Sequence, residues 1–120
     1  MSETNGQAYL SPFIPDGYTL TAVIPGVPGR WPDVHIRYRP LSADEESEVW
    51  AKQRLMPAEP MTRWYADAFA TKLLDWDVPG PDGKKLPVTA DNIRRLTPQF
   101  YEVLKSYLDG TQTGDMEKNS

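Results

Sequence analysis

Tyr18-Thr-Leu-Thr-Ala-Val-Ile24 and Val34-His-Ile-Arg-Tyr-Arg39, joined by Pro25-Gly-Val-Pro-Gly-Arg-Trp-Pro32, decide the fold of this chain. In the first run Tyr18, Leu20, Ala22 and Ile24 alternate with Thr19, Thr21 and Val23. In the second, Val34, Ile36 and Tyr38 alternate with His35, Arg37 and Arg39. Successive side chains of a strand point to opposite faces, so this alternation predicts two half-buried strands, the second with a basic outer face. The connection is too long and Pro-rich for a tight turn, which predicts an exposed loop carrying Trp31 at its far end. Two strands alone are marginal in water, so the hairpin must lean on helices or on another chain.

Downstream the period changes. Pro40 ends the second strand, and Ser42-Ala-Asp-Glu45 has the form of a capping box that opens a helix. Its inward stripe is thin: Val49 and Trp50, with Ala43 and Gln53. Pro57 and Pro60 separate it from the next helix. There Met61, Tyr65, Ala68, Phe69, Lys72, Leu73 and Trp76 recur at helical spacing. Pro81-Asp-Gly83 marks a turn and Leu86-Pro-Val88 an extended step. Thr89 caps a short helix holding Ile93 and Leu96. Thr97-Pro98 opens a last helix, which buries Phe100, Leu104, Tyr107 and Leu108 and stops at Gly110.

The expected fold class is α+β: an N-terminal β-hairpin and then a cluster of three to four helices. The expected organisation is a flexible tail over 1–12, one domain over 13–110 and a second flexible tail over 111–120. Within the domain the hairpin occupies 17–39 and the helices about 42–56, 60–76, 90–96 and 98–109. Tyr65, Phe69, Leu73 and Trp76 are expected on one helix face, packed against Leu104 and Leu108.

Composition bounds the function. The chain has 120 residues, one domain in length, with 39% hydrophobic and 25% charged residues, a globular balance. Twelve prolines argue against a long parallel sheet. The absence of cysteine removes disulfides, thiolate metal sites and Cys nucleophiles, and the single histidine, His35, leaves little for a catalytic triad. A net charge of −4 argues against non-specific binding to nucleic acid or to an anionic membrane. No apolar run approaches membrane-span length and no signal peptide is evident, so the cytoplasm of the cell that makes the chain is the expected location.

Chemical motifs are weak. Asp75, Asp77 and Asp82-Gly83 suggest a calcium loop, but counting from Asp75 puts Pro79 and Leu86 where ligands belong. No metal or other cofactor is expected. Asp44, Glu45, Glu46 and Glu48 suit a helix N-terminus better than acid–base chemistry. No Gly-x-Ser-x-Gly, Walker or dinucleotide fingerprint occurs, and the expectation is a protein that is not an enzyme. His35, Arg37 and Arg39 could hold phosphate, or could arm an edge strand against aggregation; a solvated or protein-facing strand is favoured over phosphate binding. Aromatic residues make up 11% of the chain, and Trp31, Trp64 and Tyr101 lie off the strongest inward stripes. They fit either a protein interface or a second internal contact. The candidate partner-binding set is Trp31, Trp50, Trp64, Tyr101, Arg37 and Arg39.

Two runs carry a resemblance. Tyr38-Arg-Pro-Leu-Ser-Ala-Asp-Glu45 resembles the strand, Arg-Pro-Leu and capped-helix opening of phage (prophage) tail assembly chaperones. Leu73-Leu-Asp-Trp-Asp77 followed by Asp82-Gly-Lys84 and Leu86-Pro-Val-Thr89 is similar to their W-D … D-G-x-x-L-P-V-T segment. In such proteins a short helix and a Leu-Thr-Pro step follow, as in Asn92-Ile-Arg-Arg-Leu-Thr-Pro98. The resemblance spans about 36–108 and departs in the long Pro/Gly loop of the hairpin. It implies a non-enzymatic cytoplasmic factor, absent from the mature virion, that binds the tape measure protein and keeps it soluble during tail assembly. The tail tube protein is a further candidate partner; self-association stays open, and neither specific nucleic acid nor a membrane is expected. The alternatives are a virion component of the head–tail joint or tail tube, whose hairpin completes a neighbour's sheet, and a small nucleic-acid-binding protein.

Overall fold

The computed structural model describes residues 12–15 and 17–116. β1 (Leu20–Ile24) and β2 (Val34–Tyr38) form the predicted hairpin, with Leu20 opposite Tyr38 and Ile24 opposite Val34. α1 (Ala43–Leu55) and α2 (Met61–Lys72) follow, then β3 (Leu73–Trp76), α3 (Ala90–Arg94), α4 (Pro98–Leu108) and β4 (Asp115–Met116). The sheet is antiparallel throughout, in the order β3-β2-β1-β4. The fold is α+β, as the sequence predicts.

One face of the sheet is the core wall. Leu20, Ile24, Val34, Ile36, Tyr38, Leu73 and Trp76 are buried against Tyr65, Phe69, Ile93, Phe100, Leu104 and Leu108 from the helices. The outward residues Val23, His35, Arg37 and Asp75 are exposed. Aromatic rings tie the layers: Phe69 lies 6.0 Å from Tyr101, and Tyr38 6.2 Å from Tyr107. Trp76 is 1% exposed, and its indole N–H donates to the Leu86 carbonyl at 2.7 Å. The largest buried ring therefore keeps its one polar atom paired.

The helix starts follow the sequence. The Ser42 hydroxyl accepts from the Glu45 amide at 3.2 Å and the Glu45 carboxylate from the Ser42 amide at 2.8 Å, completing the capping box. Thr89 accepts from the Asn92 amide at 3.1 Å. Thr97 starts α4 without a side-chain bond, leaving Pro98 to set the first turn. The Gly83 amide donates to the Gly80 carbonyl at 2.9 Å, and Gly83 takes a φ of 79°, closing the predicted Pro-Asp-Gly turn.

Four expectations are corrected. The second helix stops at Lys72 instead of running to 76, and Leu73–Trp76 is a third strand beside β2. Tyr38 pairs with Leu73 and Arg37 with Asp75, so Leu74 is the extra residue of a bulge. The bulge turns Leu73 and Trp76 inward with Leu74 and Asp75 outward, and an in-out-out-in strand imitates helical spacing. Second, β2 lies inside the sheet, so its charges do not guard an edge. Third, residues 111–116 are not a free tail: Gly114 donates to the Tyr38 hydroxyl at 2.8 Å, and Asp115 and Met116 pair with Thr21 and Leu20. The rest of the expected tails, 1–11 and 117–120, lies outside the described residues. Fourth, Trp50 does not face inward; it is 49% exposed and only Val49 of α1 is buried.

Candidate partner-binding surface

The six candidate residues fall at separate places. Trp31 stands at the end of the hairpin loop but does not project from it. Its backbone closes onto Val27 at 2.9 and 3.1 Å, and its indole N–H donates to the Pro25 carbonyl at 3.0 Å. The ring meets Phe100 of α4 edge-on, centroids 5.3 Å apart. Half-buried in this way, Trp31 forms one wall of a cleft of about 250 Å³ between loop 25–32, the turn 79–85 and the α3–α4 joint. Sequence reasoning found Trp31 and missed the rest of this cleft. Leu86, Leu96 and Phe100 each lie in a different segment, and no periodicity links them.

Tyr101 is buried, so it is a core residue and not a surface anchor. Burial pushes its phenol up to about 12, against a hydrogen bond with Thr62 that pulls the other way. Trp64, on α2, is half-buried, and its indole N–H has no partner among the described residues. Trp50 is the one exposed tryptophan of the set. Beyond it, Leu55 is 83% and Met56 50% exposed where α1 ends.

Arg37 and Arg39 part company. Arg37 sits in the middle of the outer sheet face, where the register sets Asp75, Arg37, Thr21 and Asp115 side by side across four strands. Asp75 also pairs with Lys85 at 2.6 Å, and that hydrogen bond holds its carboxyl below the usual range. One residue row away, the His35 ring nitrogen Nδ1 meets Asp77 at 2.8 Å, while Asp77 also accepts from the His35 amide at 2.7 Å. The predicted basic face is therefore interleaved with carboxylates. Arg39 leaves this row: its amide donates to the Lys72 carbonyl, and its guanidinium reaches the Pro15 carbonyl at 3.4 Å.

The aspartates of the rejected calcium loop are engaged in these pairs and in the turn, where Asp82 accepts from the Lys84 amide at 3.0 Å. Among the described residues no group of three or more His, Asp or Glu side chains could hold a metal ion, and no helix is long and apolar enough to cross a membrane. Comparison with known proteins finds no family model, no curated protein and no solved structure that matches this chain.

Proposed function

We propose that this protein is a phage tail assembly chaperone that binds the tape measure protein and keeps it soluble until the tail tube forms. A single observation carries the assignment: the resemblance of Tyr38-Arg-Pro-Leu-Ser-Ala-Asp-Glu45 and of the Leu73 to Thr89 segment to that family. Those runs coincide with the joints of the fold, namely β2 into the capped α1, and β3 through the turn into the capped α3. A tape measure protein is long, helical and apolar-striped, and self-associates when bare. Trp50, Leu55 and Met56 supply exposed apolar surface suited to such a helix, and the net charge of −4 favours dispersion.

A virion component that lends its hairpin to a neighbour's sheet is the rival. It is disfavoured because β3 already lines β2 and β4 already caps the first half of β1. Co-expression with the tape measure protein of the same phage or prophage tests the assignment. The expected result is a soluble complex that co-purifies, with this chain missing from finished particles. A tape measure protein equally soluble without it, or a fixed copy number of this chain in purified virions, overturns the assignment.

A further inference from the structure

We infer that the Trp31–Phe100 cleft is a docking site for an acidic segment of a partner protein that inserts a large apolar side chain. The cleft is preformed on two sides. Trp31 is pinned by its bond to Pro25 and its pairing with Val27, and Leu86 by the bond of its amide to the Val78 carbonyl at 2.9 Å. Between them the lining is apolar: Trp31, Val34, Val78, Leu86, Leu96 and Phe100.

Charge decides what fits. Arg30 and Arg95 stand in the lining with Pro32, Pro79 and Thr97; both arginines are exposed, and neither guanidinium has an ion-pair or hydrogen-bond partner among the described residues. The contrast with the adjacent Arg94, held by Asp91 and Asp67, is direct. In a chain with 17 acidic and 13 basic residues, two unpaired arginines beside one apolar cleft present a forked donor set for carboxylates. An apolar centre with a charged rim is the anatomy of a protein-binding hot spot.

Size separates the occupants. At about 250 Å³ the cleft is smaller than the roughly 300–1,000 Å³ of small-molecule sites, but it accepts one or two large side chains. The occupant is therefore a peptide segment with an aliphatic anchor and flanking Glu or Asp. For the partner's identity this inference rests on the chaperone assignment, and the two fail separately.

The test uses the full chain, isotope-labelled, and a short synthetic peptide carrying a leucine pair flanked by glutamates. A second peptide has lysine in place of each glutamate. Saturable shifts of the Trp31 indole and of the Arg30, Arg95 and Phe100 amides are expected with the acidic peptide alone. R30E with R95E should weaken binding by about tenfold or more, while R30K with R95K retains most of it. Both pairs are exposed, so folding is preserved and is checked by the unchanged remainder of the spectrum. No shift, equal shifts with both peptides, or displacement of the acidic peptide by inorganic phosphate or a mononucleotide at equal concentration overturns the inference. Capture of the tape measure protein by wild type and equally by R30E/R95E overturns the cleft but leaves the chaperone assignment standing. Acidic-peptide binding without tape measure capture does the reverse.

Discussion

Glu45 joins two helices through one carboxylate. It accepts from the Ser42 amide to close the α1 cap and pairs with Lys72 at the last turn of α2. Burial pushes its carboxyl up, but the Lys72 ammonium and the Ser42 bonds outweigh that and hold it below the ordinary 4.5. A folded-state value below the unfolded one adds stability that is fully present above about pH 4.5 and is lost as pH falls through the folded value. Asp109 behaves the same way: burial raises it, and Thr111 and Lys105 lower it further. Glu45→Gln keeps a capping-box side chain and removes the charge, so the loss isolates the pair. The expected cost near neutral pH is about 0.5–1.5 kcal/mol, and it shrinks in acid as pH falls through the folded value and the wild-type carboxyl protonates. Urea melts of both proteins across a descending pH series measure it. A difference that persists unchanged in acid would show that the charge is not its source.

Between elements, β3 is where sequence and structure diverge most. Leu73→Ala should cost about 2–5 kcal/mol, because Leu73 is 3% exposed within the core. Leu74→Lys should stay within about 0.5 kcal/mol, because the bulge turns Leu74 outward at 40% exposure. Thermal melts compare the two, and a cross-strand proton contact between Arg37 and Asp75 reports the strand itself. Expecting Leu73 and Trp76 in the core was correct; placing them on a helix was not. Burial was legible from side-chain chemistry, but a bulge changes the spacing and only strand pairing reveals it. The hairpin, the capping box and the Pro-Asp-Gly turn were legible because each depends on neighbours in sequence. β4 was not, since two polar-flanked residues carry no periodicity and are held by distant Thr21 and Tyr38. Gly114 makes that contact possible: a Cβ there would overlap the Thr21 carbonyl oxygen. Gly114→Ala should detach β4, seen as faster amide exchange at Asp115 and Met116 with the hairpin itself still protected. Unchanged exchange would mean that the close approach does not hold the strand.

Across the whole molecule, the sheet divides chemistry from packing: one face is core and the other carries charge. The aromatic candidates show how far sequence reaches at this scale. Residue type nominated Trp31 and Trp50, yet Tyr101 went inside because α4 meets α2 at Phe69, a distant contact that no local pattern encodes. The same limit applies to the basic strand. His35 and Arg37 are cationic candidates in sequence, but pairing brings Asp75, Asp77 and Asp115 onto their face from β3, its flank and β4. A nucleic acid gains affinity by exchanging its counterions for unpaired protein cations. Here carboxylates already stand among those cations, so phosphate would have to displace them against a net charge of −4. Duplex DNA should therefore be retained no better than by an acidic control protein at physiological salt, and Arg37→Ser should leave that result and the melting temperature nearly unchanged. Arg39→Ser is the less neutral change of the two, because Arg39 is half-buried and bonds the Pro15 carbonyl. Fluorescence anisotropy with labelled duplex across a salt series decides the point: micromolar binding that steepens at low salt and disappears in Arg37→Ser would make the outer sheet face a nucleic-acid surface after all.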